Sequence, residues 1–519
     1  MAKSWWQVAM NKPLVLIIID GWGIAPSWGG NAISLAKTPT INRLWRGYPH
    51  TTLKASGADV GLPGHERGNS ETGHFNIGAG HIVHMDAQRI NKTIEDKTFF
   101  KNDVLLSVIN HVKKNKSKLH LLGILSEGGV HAHINHLYAL IELAKQHNLE
   151  NVYIHGITDG RDAPSTSGIG YIQKLDYQIK IINSPARVAT IMGRFYAMDR
   201  DQRWKRMEQA YKALAWGIGI NASSAFEAIS NSYKQAITDE FIVPTIITKD
   251  GSPLATIDDN DGVIFSNFRG DRAWEICAAF LNTDFNEFKT KKYLNLEFAS
   301  FSNYRPERVI INFAFHPEIV EYPLAKILSV SGLKQLHVAE SEKYAHVTYF
   351  INGGLEKPFA DEDRKLIPSL KVKSYDQTPQ MAAPKIAEEV AKAILENNYD
   401  VIFVNFANPD MVGHTGNLGA TIKACEAVDA AIAKIISTNE QKGITIITAD
   451  HGNAENMIIP QTGEPDSEHT INPAPFILIS QDHKGQILKS SGKLANITPT
   501  ILDILGIERL PDMEESLLM

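Results

Sequence analysis

A chain of 519 residues is longer than one ordinary domain and, at roughly 150 residues per domain, predicts two or three units. With 43% hydrophobic and 21% charged residues it is neither disordered nor fibrous. Its net charge of −6 argues against a coat for nucleic acid or an anionic membrane, while leaving room for a local basic pocket that takes a small anion. The first predicted element is the strand Leu14–Ile19, six apolar residues that run into Asp20. It is short for the apolar region of a signal peptide, and no small-residue cleavage site follows. No stretch reaches the roughly 18 apolar residues of a membrane-spanning helix. The two cysteines, Cys277 and Cys425, build neither a disulfide framework nor a thiolate metal site. The chain reads as a soluble, cytoplasmic protein.

Next comes GNSETGH, Gly68 to His74. Ser70 is flanked by Gly68, Asn69 and Gly73, and Glu71 and Thr72 suit a helix start. A serine there lies beside free backbone N–H groups, where an anion binds well. Its hydroxyl is a poor nucleophile at neutral pH and would need a metal to activate it. The plainer alternative is a serine that caps the helix.

Short apolar or β-branched runs follow at Leu119–Leu122, Asn151–His155 and Gly262–Phe265, then at Val401–Asn405 and Ile444–Thr448. Helical spacing marks Met381–Asn397, with Pro384 confined to its first turn, and Ala420–Ser437. The alternation predicts α/β architecture on mostly parallel, buried strands. Between the early and late strands lie His131 and His133 in GGVHAH, Arg161 and Asp162 in TDGRD, Arg194 and Arg200 in GRFYAMDRDQRW, and Arg269 and Arg272 in NFRGDR. Any one of these arginines is most simply a solvated surface residue. Four Gly- or Asp-flanked clusters in an acidic chain point instead to one pocket for phosphate or carboxylate.

Three strands end near aspartates: Asp20, Asp410 in FANPD, and Asp450 followed by His451 in TADHG. Ligands gather at the carboxyl ends of strands in open α/β sheets. One such aspartate would more simply cap a turn; three, two of them with a histidine at short range, predict a shared site. Asp410 and His414, four apart, share a helical face and can grip one ion. Asp450 and His451 are adjacent, so their side chains are expected to diverge toward different ions. His469 in SEHTINP is a further donor. Carboxylate with imidazole suits Mn²⁺ or Zn²⁺, and these donors exceed the needs of one ion, which predicts a two-metal clamp for phosphoryl oxygens. If Asp20 meets Asp410 and Asp450, one domain is made from both chain ends. Junctions then fall near Gly80–Arg89 and near Ala314–Glu321, where Pro317 interrupts the pattern. The residues by themselves describe a metal-dependent phosphoryl-transfer enzyme acting on a small anion.

Taken together, LVLIIIDGWG, GNSETGH, LSEGGVHAHINH, TDGRDAP, GRFYAMDRD, DGVIFSNFRGDR, AESEKYAHVTYFINGG, FANPDMVGHTG, TADHGNAE and SEHT resemble the cofactor-independent (2,3-bisphosphoglycerate-independent) phosphoglycerate mutases of the alkaline phosphatase superfamily. The resemblance covers nearly the whole chain. It implies interconversion of 3-phosphoglycerate and 2-phosphoglycerate in glycolysis and gluconeogenesis. It implies an alkaline-phosphatase-like domain from residues 1–84 and 318–519, with an inserted α/β transferase domain at 85–317. One Mn²⁺ is implied on Asp410, His414 and His469, and another on Asp20, Ser70, Asp450 and His451. Ser70 matches the nucleophile that becomes phosphoserine, and Lys343 in SEKYAH matches the lysine that points at the transferring group. With Lys343, the substrate-binding residues are His131, Arg161, Asp162, Arg194, Arg200, Arg269 and Arg272, and Asp162 is the best candidate for acid–base work on the glycerate hydroxyls. The partners implied are the small-molecule substrates alone, without nucleic acid or membrane, and the state implied is a monomer.

Glu127, Ala132, Gly270, Gln380 and Thr72 depart from the family pattern; none is a matched ligand or nucleophile, and they bear on local loop geometry. A phosphatase, sulfatase or phosphopentomutase of the same superfamily would share the metal set without needing TDGRD and GRFYAMDRD. A non-catalytic metal- or phosphate-binding protein would have no need of Ser70 at a helix start.

Overall fold

In the computed structural model, which describes residues 13–64, 66–305, 307–316, 318–441 and 443–519, each of the six apolar runs is a strand. Leu14–Ile19, Gly262–Phe265 and Ile444–Thr448 have the expected bounds; the others become Leu119–Ile124, Val152–Thr158 and Val401–Phe406. The chain divides into two units, Met1–Met85 with Glu318–Met519, and Asp86–Pro317. Pro317, expected at a junction, lies outside the described residues. Among the described residues no helix is long and apolar enough to cross a membrane.

The first unit holds an eight-stranded sheet in the order Glu362–Ile367, Gln335–Glu340, Val401–Phe406, Leu14–Ile19, Ile444–Thr448, Ala474–Ile479, His50–Lys54, Ser491–Lys493. Among the described residues, only the pairings of Ala474–Ile479 in this sheet are antiparallel. Leu14–Ile19 is buried along its whole length and pairs in parallel with Val401–Phe406 on one side and Ile444–Thr448 on the other. Leu14 is opposite both Val401 and Ile444, so the three strands end together and release Asp20, the Asp410 turn and Asp450 at one edge. A strand covered on both faces has no use for polar alternation, hence the unbroken apolar runs. The helices Ala383–Glu396 and Leu418–Asn439 bury Ile386, Val390, Ile394, Val428, Ile432 and Ile435 in the same core. Pro384 lies in the first turn of its helix, as its missing N–H requires. The second helix starts two residues early because Asn417 caps it, accepting the Ala420 N–H at 3.1 Å.

The second unit carries a nine-stranded sheet in the order Asn312–Phe313, Glu297–Ser300, Gly262–Phe265, Leu119–Ile124, Val152–Thr158, Arg187–Gly193, Thr245–Lys249, Ile220–Ala222, with Ser252–Pro253 paired to Thr245–Lys249. Apolar clusters cover both its faces. A polar chain crosses this interior: Asp261 Oδ2 to His120 Nε2 at 3.1 Å, His120 Nδ1 to His155 Nε2 at 2.9 Å, and His155 Nδ1 to Thr190 Oγ1 at 2.9 Å.

Candidate active site

The shared strand edge of the first unit gathers the expected donors. Asp20 directly follows its strand, and Gly21, at φ 73°, turns the chain away. A Cβ on Gly21 would lie 2.8 Å from the Asp410 Cα, so only glycine lets the two turns approach. Asp410 sits in the helical turn Asn408–Gly413, and His414 closes it with Nε2 3.3 Å from Asp410 Oδ1. His469 Nε2 reaches the same oxygen at 3.1 Å. Ser70 begins the helix Ser70–Ala79, but the cap is Asn69, whose side chain accepts the Thr72 N–H at 2.9 Å. Ser70 Oγ is thereby freed from capping. It faces Asp20 Oδ1 at 3.1 Å and His451 Nε2 at 3.0 Å, and accepts from Lys343 Nζ at 2.7 Å. Lys343 Nζ also donates to Asp20 Oδ1 at 2.7 Å and to Asp410 Oδ2 at 2.6 Å.

Two groups result whose donor atoms all lie within 4.8 Å of one another: Asp410, His414 and His469, and Asp20, Asp450 and His451. The divergence expected of Asp450 and His451 is not what the structure has. The chain leaves the strand in a bend at these two residues, and Asp450 Oδ1 folds back onto the His451 N–H at 3.0 Å, so both side chains face one group. The groups adjoin, since the His451 and His469 rings stack with centroids 3.9 Å apart.

The donor chemistry fits divalent metal ions. His414 Nδ1 donates to the Ser467 carbonyl at 2.8 Å, His469 Nδ1 to Gly68 at 2.8 Å and His451 Nδ1 to Gly452 at 3.2 Å. Each Nε2 is then the atom turned to the carboxylates, the tautomer in which a backbone carbonyl orients a metal-binding histidine. His414 Nε2 and His469 Nε2 lie 3.0 Å apart over one Asp410 oxygen, and Asp450 Oδ2 is buried without a hydrogen bond. Such crowding of lone pairs is eased by a cation.

Electrostatics here are tightly coupled. Burial alone would raise the Asp20 and Asp410 carboxyls, but Lys343 and the histidines hold both well below the usual range. Burial disfavours charge on Lys343, yet Asp20, Asp410 and Asp450 outweigh it and raise the ammonium. Burial likewise opposes a charged His451 ring, while Asp450 and Asp20 push it up to about 10. At neutral pH the position at His451 Nε2 is therefore taken by a proton or by a metal ion. An open cavity of about 700 Å³, lined by Arg67, Gly68, Asn69, His414 and His469 among others, leads to these donors.

Seven of the eight middle-chain candidates meet within the second unit. Buried Arg194 binds Asp162 at 2.5 Å and Asp159 at 2.7 Å. His131 Nε2 stands 3.9 Å from Asp162 and its Nδ1 3.5 Å from Asp271, which also draws Arg269 at 3.4 Å and Arg200 at 3.6 Å. Arg161, Arg194, Arg200 and Arg272 line a cavity of about 220 Å³. Burial, then Arg200, Arg194 and Arg161, lower the Arg272 guanidinium, the mark of a pocket with surplus positive charge that favours an anion. His133 serves the fold instead, capping the helix Ile134–Gln146 by accepting the Asn135 N–H at 3.2 Å. Of the departures from the family pattern, Glu127 forms a surface ion pair with Lys174 at 2.6 Å.

Further polar residues complete the site. Asn405 Nδ2 donates to Asp20 Oδ2 at 3.0 Å and to His74 Nε2 at 3.1 Å, while His74 Nδ1 donates to the Ser70 carbonyl at 2.9 Å. Asn453 Nδ2 holds Asp410 Oδ1 at 3.0 Å. The available signal was an asparagine inside the apolar strand VIFVNF, where an amide without a partner is costly. Asp159 and Asp271 lay within the arginine-bearing motifs, but nothing local names their arginine partners.

The family model described as BPG-independent PGAM N-terminus matches residues 90–306. The chain is 48% identical over 510 residues to a 2,3-bisphosphoglycerate-independent phosphoglycerate mutase of Clostridium perfringens, covering 98% of this chain and 99% of the relative. It is 49% identical over 510 residues to the enzyme of that name from Moorella thermoacetica, covering 98% of each. A solved structure of Leishmania mexicana phosphoglycerate mutase at low cobalt concentration is 32% identical, with 98% of each chain covered and a TM-score of 0.69.

Proposed function

This chain belongs to the 2,3-bisphosphoglycerate-independent phosphoglycerate mutase family, and on that premise we propose that it interconverts 3-phosphoglycerate and 2-phosphoglycerate, in glycolysis and gluconeogenesis, through a phosphorylated Ser70 and two divalent ions. The observation that carries the reading is Ser70 Oγ, at a helix start, between Lys343 Nζ at 2.7 Å, His451 Nε2 at 3.0 Å and Asp20 Oδ1 at 3.1 Å. Asp410, His414 and His469 would hold one ion and Asp20, Ser70, Asp450 and His451 the other; mixed carboxylate and imidazole donors suit Mn²⁺. Bound there, the ions would lower the pKa of the Ser70 hydroxyl and offset charge on phosphoryl oxygens.

In the first half of the reaction, Ser70 Oγ bonds to the phosphorus of 3-phosphoglycerate as the bond from phosphorus to the glycerate 3-oxygen breaks. Lys343 offsets the negative charge that builds on the transferring group. In the second half, the glycerate 2-oxygen takes the phosphoryl group from Ser70. His131, Arg161, Arg194, Arg200, Arg269 and Arg272 bind the organic acid, and Asp162 exchanges protons with its hydroxyls. The unit Met1–Met85 with Glu318–Met519 is then the metal-binding phosphoryl-transfer domain, and Asp86–Pro317 the substrate-binding transferase domain.

The test supplies 3-phosphoglycerate with no 2,3-bisphosphoglycerate and follows 2-phosphoglycerate and free phosphate together. The wild type should form 2-phosphoglycerate, lose that activity on chelation and regain it with Mn²⁺. Ser70→Ala should fold normally and fall by at least about a thousandfold, as loss of an activated nucleophile does. Substantial turnover by Ser70→Ala would sink the covalent route; free phosphate as the main wild-type product would favour a phosphatase.

A further inference from the structure

Glu455 belongs to neither donor group, yet it is fully buried and its carboxylate collects donors from three separate segments. Oε2 accepts the N–H of Gly23 at 2.9 Å and that of Asn453 at 2.9 Å. Oε1 accepts Asn472 Nδ2 at 3.0 Å and the Thr470 hydroxyl. Each segment carries metal-site donors: Gly23 follows Asp20, Asn453 follows Asp450 and His451, and Thr470 directly follows His469. Asn453 extends the reach, because its own Nδ2 holds Asp410. Room for the carboxylate comes from two glycines, since a Cβ on Gly23 or on Gly452 would collide with it. Backbone bonds run in the same sense, from the Ala454 N–H to the Gly21 carbonyl at 3.0 Å and from the Thr470 N–H to the Gly452 carbonyl at 2.9 Å.

A buried carboxylate is expensive unless its lone pairs are filled. Here all four contacts come from loops, not from the regular part of a strand or helix. Removing the carboxylate would leave two backbone N–H groups and two side chains without their acceptor, with the three loops then tied by the two backbone bonds alone. The cost of ordering those loops would then fall on metal binding. We propose that Glu455 is a positioning residue that locks the Asp20, Asp450–His451 and His469 loops into one body, so that both donor groups are arranged before the ions arrive. The inference rests on the two-metal reading above. It differs from the role of a ligand in one respect: loss of a ligand weakens its own site first, whereas loss of the lock weakens both sites together and leaves the count of ions unchanged.

The experiment titrates Mn²⁺ into metal-free full-length protein, wild type against Glu455→Gln, by electron paramagnetic resonance of the free ion and by calorimetry. The glutamine keeps the volume but turns an amide NH₂ toward groups that are themselves donors. Two ions should still bind, with affinity at both sites lower by roughly 10–100-fold, the usual effect of losing a residue that orients metal ligands. Turnover should recover at saturating Mn²⁺, while the metal-free protein still unfolds cooperatively. Should Glu455→Gln not fold, Thr470→Val and Asn472→Ala each remove one donor and should lower both affinities by smaller steps. Unchanged Mn²⁺ affinity in the folded variants, or a loss confined to one site, overturns the positioning role. A wild type that binds no Mn²⁺ overturns the two-metal reading, and this inference with it.

Discussion

Lys343 holds a position in which one residue would serve stability and, on the proposed mechanism, chemistry as well. Its ammonium is nearly inaccessible and donates to Asp20, Ser70 and Asp410 within 2.7 Å. Two carboxylates so close repel each other strongly in a water-poor interior, and the lysine is their counter-ion. Lys343→Met retains the aliphatic stem and removes the charge. In metal-free protein this change is expected to cost about 3–5 kcal/mol, the range for breaking a buried pair. Saturating Mn²⁺ should recover much of that stability by supplying the missing positive charge. On the proposed mechanism, in which Lys343 offsets charge on the transferring group, mutase turnover should still fall by roughly a hundredfold or more. Urea unfolding with chelator and with Mn²⁺, beside an assay at saturating metal, separates the two effects. Equal destabilisation in both conditions would contradict the counter-ion role.

At the level of elements, the sheet of the second unit carries its own pH response. His120 on Leu119–Ile124 and His155 on Val152–Thr158 are fully enclosed, and burial lowers both. His136, on the helix Ile134–Gln146, is lowered by burial to about 3. A histidine whose folded pKa lies below its unfolded value near 6.5 lends stability that is complete above that value and is lost as pH falls toward the folded one. Glu275, on the helix Trp274–Leu281, has the opposite sign. Burial, reinforced by Asp199 and Asp201, pushes its carboxyl up to about 7, so its contribution is present at low pH and lost as pH rises through that value. From these groups the unit should lose resistance to urea as pH falls below about 6.5, with Glu275 offsetting part of the loss, and should change little above about pH 7. On the acid side each buried histidine removes at most about 1.4 kcal/mol per pH unit. Urea midpoints at several pH values, read by pulse proteolysis of this unit, test the expectation. A midpoint that keeps rising from neutral to acid would show that these histidines protonate without cost.

Across the whole molecule the two units have opposite connectivity. Leu14 pairs with Val401, 401 − 14 = 387 residues away, and with Ile444, 444 − 14 = 430 away. The first sheet cannot form around its central strand until both chain ends are present. The second unit is continuous and contains its own sheet and core. A fragment of residues 86–317 should therefore unfold cooperatively by itself, whereas a chain lacking residues 13–24 should lose the first unit and keep the second. Circular dichroism of the fragment and limited proteolysis of the truncated chain check this. A fragment without a cooperative transition would mean that the second unit depends on the first.

Much of this was legible in the linear chain because particular residues have a local reason to be where they are. Leu14–Ile19, Val401–Phe406 and Ile444–Thr448 are covered on both faces, so their apolar runs need no knowledge of a partner to be recognised. Asp20, Asp410, Asp450 and His451 stand out because a carboxylate or imidazole directly after such a run is costly unless something uses it. Edge strands such as Glu362–Ile367, with charged residues turned to solvent, lack that signature. The resemblance placed Asp450 and His451 on one ion against the divergence expected of neighbouring side chains, and the structure supplies the reason, a bend that turns both to one group. The tertiary structure alone showed that Asn69, not Ser70, caps the helix, and that Asp271 stands among His131, Arg200 and Arg269. The same holds for Asn405, Asn453 and Glu455, whose hydrogen-bond partners include groups many residues away. The sequence by itself marked Asp20, Asp410, Asp450 and His451 as candidates for one site, because burial and charge tax each residue where it stands. Folding decided how those residues meet, because a hydrogen bond depends on distance and direction in space, and neither can be read from separation along the chain.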